Sequence, residues 1–269
     1  MTWTRIGPVV VSYGAGTNST AMLVGMVERG EQVDAIVFAD TGGERPETYA
    51  YVDMFSAWLV PRGYPAIVSV RHTKRDGTTE TLEATGLRTG HLPSIAYGYR
   101  ACSQKFKRDP QNAWARRWAL AQAAWAGGEQ VVKCIGFDAG EPQRATRSDA
   151  AIRTNPTERR RYRLRYPLVE WGMDRDACVD AIDAAGLPRP GKSSCFFCPM
   201  SKPREILDLR DNAPDLFARA LAIEDAARPF SGTIAGLGSR FSWRALADGD
   251  ERQSKLWGEL PCDCYDGDE

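Results

Sequence analysis

A glycine-bearing segment directly behind a short hydrophobic run is the feature that most limits what this chain can fold into. The run Val9 to Tyr13 is strand-sized and rich in valine, and Ser19 to Arg29 has apolar residues at helical spacing. A strand, a tight loop and a helix start in succession form a cradle for phosphate, because backbone N–H groups and the helix dipole face one point. The candidate ligands of a nucleotide phosphate in this S-Y-G-A-G-T-N-S-T segment are Ser12, Gly14, Gly16, Thr17, Asn18, Ser19 and Thr20.

The loop differs from two common phosphate motifs. It lacks the G-K-[ST] ending of a Walker loop, which argues against a kinase or a P-loop ATPase. It also misses the G-x-G-x-x-G register of dinucleotide-binding folds, since the third glycine would fall at Ser19. An ordinary tight turn between a strand and a helix is the alternative interpretation of this segment.

Strands and helices alternate along the chain. After the first strand, buried strands are predicted at Val33 to Ala39, Ala66 to Val70 and Gln130 to Phe137, with a helix that starts at Pro46. Such alternation predicts an α/β fold with a parallel twisted sheet and helices on both faces, followed by a mostly helical C-terminal part. We place a nucleotide-binding domain at residues 1–172 and a helical region with metal ligands at residues 173–269, packed on the first as one unit.

Several segments outside these strands allow further local predictions. Residues 73–100 predict a loop with one short helix near Thr81, and residues 103–125 predict a long helix interrupted near Pro110. Residues 174–185 predict a capped helix, and residues 206–227 predict a helix pair separated at Pro214. The basic residues 144–161 show no periodicity, so we expect this segment to be mobile.

The composition of the 269 residues limits the class of protein. No apolar run approaches the ~20 residues that a membrane span needs, and the N-terminus lacks the layout of a signal peptide. Seven cysteines are too few for a disulfide scaffold at this length. We therefore expect a cytoplasmic protein without a membrane partner, whose thiols serve metal binding or catalysis.

The cysteine spacing points to a metal site. Cys195 and Cys198 form a C-x-x-C before a proline, which lets both thiolates face one ion, and Cys262 and Cys264 form a C-x-C near the C-terminus. Thiolate-only ligation suits zinc or an iron–sulfur cluster, and a redox dithiol is a further alternative. The two cysteines predicted to be core residues are Cys134 and Cys178.

Four further segments, taken with the loop, resemble one known family. They are F-A-D-T-G with P-E-T between Phe38 and Thr48, G-F-D-A-G-E-P-Q-R from Gly136 to Arg144, Y-P-L with Trp171, and S-C-F-F-C-P from Ser194 to Pro199. In this order the segments resemble the PP-loop ATP pyrophosphatases of the adenine nucleotide alpha-hydrolase class. The similar branch contains phosphoadenosine phosphosulfate reductases and DNA phosphorothioation sulfurtransferases, and the resemblance spans about residues 8–225.

The chain also departs from the family's pattern. Asn18 stands where many members have Asp, Asp138 replaces an Arg, and Pro142 replaces a Ser. The C-terminal Glu-Cys-Gly motif of the reductases does not occur in the sequence, so phosphosulfate reduction is an alternative and not the first expectation. An FMN adenylyltransferase is a second alternative. A non-enzymatic nucleotide-binding or nucleic-acid-binding protein with a structural metal is a third.

The resemblance implies a reaction and roles for individual residues. ATP would be cleaved between its α and β phosphates, a substrate oxygen would be adenylated, and a sulfur nucleophile would then displace AMP. Asp40 and Thr41 would lie beside the nucleotide, with Asp40 holding Mg²⁺ or the ribose. Arg144 would pair with a phosphate, Glu141 would orient it or bind Mg²⁺, and Gly136 would border the nucleotide. The implied catalytic residues are Asp40, Glu141 and Arg144.

The resemblance also implies the metal group. Sulfur-handling members of the family carry [4Fe–4S] clusters, so we expect such a cluster ahead of zinc. Cys102 opens C-S-Q-K-F-K, which resembles a C-x-x-x-x-K segment that lies near the cluster in the family. We therefore expect Cys102, Cys195 and Cys198 as three ligands, with Cys262 or Cys264 as the fourth.

The formal net charge of zero hides a segregation of charge along the chain. Residues 144–165 contain eight arginines and two acids, whereas residues 245–269 contain eight acids and two basic residues. Because the segment from Arg144 to Arg165 follows the predicted phosphate motif, it fits a polyanionic substrate such as nucleic acid. A solvated loop that balances the acidic tail is the alternative, and a sulfur donor protein is a further expected partner.

Overall fold

Parallel strands form the sheet that positions the site in this computed structural model, which describes residues 5–249. Within those residues the strands are β1 (Val9–Tyr13), β2 (Ala35–Ala39), β3 (Ile67–Val70), β4 (Val131–Ile135) and β5 (Tyr162–Arg165). Their order across the sheet is β3-β2-β1-β4-β5, and every neighbouring pair is parallel. The chain therefore winds outward from β1 in both directions, and the switch point of the sheet lies between β1 and β4.

Helices and single turns connect the strands. The α-helices of the described residues are α1 (Thr17–Glu28), α2 (Pro46–Leu59), α3 (Leu82–Thr89), α4 (Ala101–Ser103), α5 (Asp109–Ala115), α6 (Ala119–Ala126), α7 (Pro142–Thr154), α8 (Pro156–Arg161), α9 (Pro167–Glu170), α10 (Arg175–Ala184), α11 (Pro203–Asn212), α12 (Pro214–Ala227) and α13 (Trp243–Ala247). Short 3-10 turns lie at Val60–Arg62, Ser94–Tyr97 and Arg228–Phe230, and a π-helical turn lies at Gln104–Arg108. None of the described helices combines the length and hydrophobicity that crossing a bilayer requires.

The strands direct alternate side chains to opposite faces of the sheet. Val11 and Tyr13 of β1 are buried in one core with apolar residues of α1, α2 and α10. Val10 of β1 and Val37 of β2 are buried on the other face, in a core that includes residues of α5 and α6. Both faces are therefore covered by helices, which confirms the predicted fold class.

The chain divides into two compact units, each assembled from several stretches. The first unit contains the sheet and comprises residues 5–39, 46–70 and 110–193 of the described chain. The second comprises residues 40–45, 71–109 and 194–249, and its core is built mainly from α3, α11, α12 and α13. The domain boundary expected between residues 172 and 173 stays a prediction.

Several elements predicted from local signals occur where they were expected. Thr81 caps α3 by accepting a hydrogen bond from the Ala84 N–H at 3.0 Å, and Asp174 caps α10 through the Ala177 N–H at 2.9 Å. The helix α11 ends at Asn212, and α12 begins at Pro214. Proline suits the first position of a helix, because the N–H that it lacks has no helical partner there. These predictions are confirmed.

The expectation of a mobile segment over residues 144–161 is wrong. The structure has two helices there, α7 and α8, and the edge strand β5 follows directly. Pro142 begins α7, and the Asn155 side chain caps α8 by accepting from the N–H groups of Thr157 and Glu158. Periodicity missed α7 because a single side chain of this helix, Ala145, is buried, so the helix has no apolar stripe.

The helix predicted over residues 103–125 leaves regular α geometry just before Pro110, in the π-helical turn Gln104–Arg108 that runs directly into α5. Pro110 has no N–H to continue the α-helical hydrogen bonds there. A full break follows between α5 and α6, where the Trp118 N–H bonds the Ala115 carbonyl in a tight turn.

The two cysteines assigned to the core are fully buried. Cys134 lies in β4 and Cys178 lies in α10, and both belong to the core on the α1 face of the sheet. Burial raises the pKa of each thiol to about 12. Both therefore stay protonated near neutral pH and serve as small apolar residues.

Candidate functional site

The loop between β1 and α1 presents an open helix N-terminus. Ala15 adopts a left-handed conformation with φ 58° while fully buried, a combination that non-glycine residues rarely show outside functional loops. Gly16 precedes α1 and supplies no side-chain cap, and the first turn of α1 contains no acid. The backbone N–H groups and the positive end of the helix dipole therefore point out of the loop.

Side chains inside the loop hold its shape. The Ser19 hydroxyl donates to the Gly16 carbonyl at 3.1 Å and accepts from the Gly14 N–H at 3.2 Å. The buried Ser193 hydroxyl donates to the Gly14 carbonyl. The Ser19 hydroxyl therefore stabilises the backbone of the loop through two hydrogen bonds.

Two further hydroxyls predicted to be phosphate donors also have protein partners. The Ser12 hydroxyl donates to Gln111 Oε1 at 2.7 Å, and the Thr20 hydroxyl lies 3.2 Å from the Tyr13 hydroxyl. Thr20 is fully buried. The donors that this geometry leaves for a ligand are mainly backbone N–H groups, not the hydroxyls of these residues.

The turn after β4 lies directly against the first turn of α1. A Cβ atom on Gly136 would lie 2.9 Å from Ser19 Cα and 3.0 Å from Ser19 N, closer than real Cβ contacts. Glycine is therefore required at position 136 for this approach. The structure thus brings together two segments that the sequence analysis assigned to the nucleotide, at the switch point of the sheet.

Asn18 joins the two segments through its side chain. Its Nδ2 donates to Asp138 Oδ2 at 2.8 Å and lies 3.4 Å from Glu141 Oε2, while its Oδ1 accepts from Arg175 Nη1 at 3.2 Å. Asp138 is buried, and its other oxygen accepts from the Gly140 N–H at 2.8 Å. Two acids and one arginine therefore surround a single amide on α1.

Arg144 lies beside these groups on the first turns of α7. Its guanidinium pairs with Glu141 and lies 4.5 Å over the Phe137 ring. The Phe137 ring stacks on Tyr166, whose hydroxyl donates to the Ala145 carbonyl at 3.2 Å. The Y-P-L segment thus supports the helix that carries Arg144.

Asp40 and Thr41 belong to the second unit, together with the C-x-x-C turn. Asp40 is buried and accepts from Arg71 Nε at 2.7 Å and from the Gly42 N–H at 2.7 Å. Arg71 therefore compensates the charge of this carboxylate. The roles of Asp40 and Thr41 toward a nucleotide stay predictions.

Thr41 connects a buried acid with the C-x-x-C turn. Its hydroxyl lies 3.2 Å from Cys195 Sγ and 3.5 Å from Glu44 Oε1, and Lys107 Nζ lies 3.4 Å from the same Glu44 oxygen. The other carboxylate oxygen, Glu44 Oε2, is buried without a hydrogen-bond partner among the described residues. Burial, reinforced by the Glu44 charge, raises the pKa of the Cys195 thiol.

The thiols are only partly assembled in the described part of the chain. Cys195 and Cys198 share one tight turn, closed by a hydrogen bond from the Cys198 N–H to the Cys195 carbonyl at 2.9 Å. Among residues 5–249 no group of three His, Cys, Asp or Glu side chains is arranged to hold a metal ion, so Cys102 does not complete such a group. Cys262 and Cys264 lie outside the described residues.

Several residues around the predicted site were not singled out by the sequence analysis as site residues. Asp138 was noted only as a departure from the family motif, and that departure was the signal that could have found it. Arg175 has no local signal beyond its place after a helix cap. The remaining residues of this kind are Gln111, Ser193, Arg71 and Glu44.

Comparison with known proteins finds a likeness among solved structures. No protein-family model matches the chain, and no curated protein matches it. Among solved structures, the chain is similar to the U34-tRNA thiolase NcsA from Methanococcus maripaludis with its [4Fe–4S] cluster, at 14% sequence identity and a TM-score of 0.45. The match covers 98% of this chain and 77% of that chain.

Proposed function

We propose that this protein is an ATP-dependent adenylating enzyme that releases pyrophosphate and transfers sulfur to a nucleic acid or a small metabolite. The observation that carries the proposal is the approach of the turn after β4 to the first turn of α1, between neighbouring strands at the switch point. Open α/β sheets bind their ligands at this point, beyond the C-terminal ends of the strands. The motif resemblance supports the reaction, and the geometry supports phosphate binding at this turn.

The first turn of α1 would hold the pyrophosphate that leaves. Gly16 gives its backbone N–H groups no side-chain cap, and Ala15 before it adopts a left-handed conformation. Donors that are held in position before the reaction stabilise the charge that develops on a leaving group. Arg144 would pair with a phosphate oxygen, because Glu141 and the Phe137 ring already hold its guanidinium in place.

A divalent cation fits the charge balance of this proposed site. Asp138 and Glu141 oppose Arg144 and Arg175, so a bound polyphosphate would add negative charge that these residues do not compensate. Mg²⁺ supplies that compensation when it is bound with ATP. We propose Glu141 as its protein ligand, and the assignment of Asp40 to Mg²⁺ or the ribose stays a prediction.

The thiol set supports a sulfur-ligated metal group through its chemistry. Cys195 and Cys198 offer two thiols from one turn, and the unpaired oxygen of Glu44 marks a polar site beside Cys195 that lacks a partner among the described residues. We propose a [4Fe–4S] cluster, with zinc as the alternative, that takes Cys102 and either Cys262 or Cys264 as its further ligands. These thiolates would hold the cluster, which would supply metal chemistry to the sulfur transfer.

The basic segment suits the acceptor substrate. We define it as the exposed arginines that α7, α8 and β5 carry: Arg147, Arg153, Arg159, Arg160 and Arg163. Arg165 is excluded, because it is buried in ion pairs with Glu31 and Glu170. The five exposed arginines can pair with the phosphates of a nucleic acid. They follow Arg144 in the sequence.

Pyrophosphate release from ATP by the anaerobically purified full-length protein tests the proposal. We expect pyrophosphate and AMP when Mg²⁺, sulfide and a nucleic-acid or metabolite fraction are present, because the acceptor oxygen attacks the α phosphate of ATP and sulfide then displaces AMP from it. Arg144→Ala should lower kcat by about 10²–10³, as removal of a charge-stabilising donor does elsewhere. Arg62→Ala, at an exposed arginine after α2, is the control and should leave the rate unchanged.

Other products would contradict the proposal in distinct ways. Sulfite from phosphoadenosine phosphosulfate without pyrophosphate from ATP would indicate a reductase, and FAD formed from FMN would indicate an adenylyltransferase. Iron and zinc analysis with the visible spectrum tests the metal group separately. A colourless, zinc-loaded protein would contradict the cluster, and a protein that turns over none of these substrates would support the non-enzymatic alternative.

A further inference from the structure

The side chain of Asn18 has one favourable orientation. Its amide hydrogens face Asp138 at 2.8 Å and Glu141 at 3.4 Å, and its oxygen faces Arg175 at 3.2 Å. A rotated amide would place its oxygen against two carboxylates and its nitrogen against a guanidinium. The surrounding charges therefore determine the assignment of oxygen and nitrogen.

Asp138 shapes the turn that follows β4. One carboxylate oxygen accepts from the Gly140 N–H at 2.8 Å, and the Asp138 carbonyl accepts from the Glu141 N–H at 3.1 Å. The other carboxylate oxygen accepts from Asn18. A single buried side chain thus shapes the turn before α7 and ties that turn to the start of α1.

The turn leads directly to the residues that we assign to the phosphates. Glu141 is the residue before α7, and it pairs with Arg144 one turn later. A shift of the turn would therefore move both side chains together. A displacement of about 1 Å in a reacting group can lower a rate by ~10²-fold. The hydrogen bond between Asp138 and Asn18, which fixes this turn, therefore has functional consequences.

We propose that Asp138 is a positioning residue of the phosphate site, which acts through the Asn18 amide to hold Glu141 and Arg144 against the first turn of α1. The proposal rests on the proposed binding of ATP at this turn. It also explains the amide at position 18, because an aspartate there would face the carboxylates of Asp138 and Glu141. An acid on the turn after β4 thus requires a neutral donor on α1.

A double-mutant cycle at positions 18 and 138 tests the positioning role of Asp138. Asp138→Asn cannot accept from Gly140 and from Asn18 at once, and Asn18→Asp places like charges together. We expect each variant to lower kcat/KM for pyrophosphate release by about 10–10²-fold. The exchange variant Asn18→Asp/Asp138→Asn restores a donor facing an acceptor, and Arg175 then faces a carboxylate. We expect it to recover at least about tenfold over Asn18→Asp.

Asp34→Asn is the control for a purely structural effect. Asp34 accepts from the Val9 N–H at 2.7 Å at the start of β1, the opposite end of that strand from the candidate site. We expect this variant to lower the thermal midpoint and leave kcat/KM within about twofold of the wild type. Equal losses in Asp138→Asn and Asp34→Asn, or no recovery in the exchange variant, would overturn the positioning role of Asp138.

Binding of inorganic pyrophosphate with Mg²⁺, measured by calorimetry, separates this proposal from the proposed reaction. A wild-type protein that binds pyrophosphate but releases none from ATP would contradict the proposed reaction alone. The Kd for pyrophosphate would then be compared among the variants in place of kcat/KM. Unchanged Kd and kcat/KM in Asp138→Asn would overturn the positioning role alone. A wild-type protein without either activity would overturn both.

Discussion

In the loop between β1 and α1, several side chains form hydrogen bonds within the protein itself. Ser19 and Ser193 bond the backbone of the loop, and Thr20 bonds Tyr13 beneath it. Ala15 adopts a backbone conformation that costs ~1–3 kcal/mol for a residue with a side chain. Hydroxyl side chains therefore stabilise this turn, and the N–H groups of the first turn of α1 are the donors that we propose for phosphate.

Gly136 permits the contact on which the candidate site depends, so its substitution is informative. Gly136→Ala would place a methyl group 2.9 Å from Ser19 Cα, and backbone atoms cannot move aside as a flexible side chain can. We expect the free energy of unfolding to fall by ~1–3 kcal/mol, with a parallel loss of pyrophosphate release. Urea denaturation and the pyrophosphate assay measure the two effects.

Gly191→Ala is the matched control for this substitution. No described atom lies within 4 Å of the position that its Cβ would take, and its φ is not in the left-handed region. We expect a change within ~0.5 kcal/mol. Equal effects of the two substitutions would show that the close approach of Gly136 to Ser19 does not govern stability.

At the scale of elements, α7 and α8 convert a basic stretch of sequence into ordered structure. Tyr166 ties α7 down through the Ala145 carbonyl and Asp149, and Asn155 starts α8 directly after α7 ends. The exposed arginines of the basic segment are therefore carried on regular structure and not on a mobile loop. Ordered charges lose less entropy when they bind a polyanion.

A triple substitution in the basic segment tests its assigned partner. Arg159→Ala/Arg160→Ala/Arg163→Ala should weaken binding of labelled duplex DNA and folded RNA. If the three arginines contact phosphates, the slope of log K against log salt should fall by roughly 2–3 in magnitude, because each contact contributes ~0.7–0.9. Fluorescence anisotropy across a salt series measures this slope.

The control removes the same charge from the second unit. Arg204→Ala/Arg228→Ala/Arg240→Ala replaces three exposed arginines and leaves the net charge equal to that of the first triple variant. We expect its salt slope to match that of the wild type. Equal slopes for both triple variants would contradict the assigned role of the basic segment.

At the scale of the whole molecule, the second unit depends on one buried acid. Glu224 of α12 is buried and accepts from the backbone N–H groups of Leu237, Trp243 and Arg244 and from the Ser242 hydroxyl. These donors come from the segment that leads into α13 and from its first residues. A carboxylate with several charge-assisted hydrogen bonds can hold an irregular segment in place.

Removal of this acid should destabilise the protein strongly. Glu224→Ala leaves several buried donors without an acceptor, each of which costs ~1–3 kcal/mol, so we expect a loss of about 3 kcal/mol or more. Asp211→Asn, at an exposed acid of the same unit, should change stability by less than ~1 kcal/mol. Urea denaturation compares them, and similar midpoints would contradict the role of Glu224.

Local signals in the sequence determined most of the elements. β1, α2, α10 and α12 were predicted because a run of apolar residues, a cap or a proline marks each of them within a few positions. The segments around Gly14, Gly136 and Glu141 were likewise singled out by their residue types, and their proposed role in nucleotide binding stays a prediction. Parallel strands place their C-terminal ends at one edge, so a site at that edge was predictable.

Only the tertiary structure decided which of these groups meet. Strand order is a long-range property, and the position of β4 beside β1 brings Asp138 to Asn18, 120 residues apart in sequence. Arg165 was counted with the basic segment until its pairing with Glu31 placed it in the interior of the first unit. Charge patterns along a chain show where arginines occur, but burial and partners decide which of them can bind a ligand, because a compensated buried charge is no longer available.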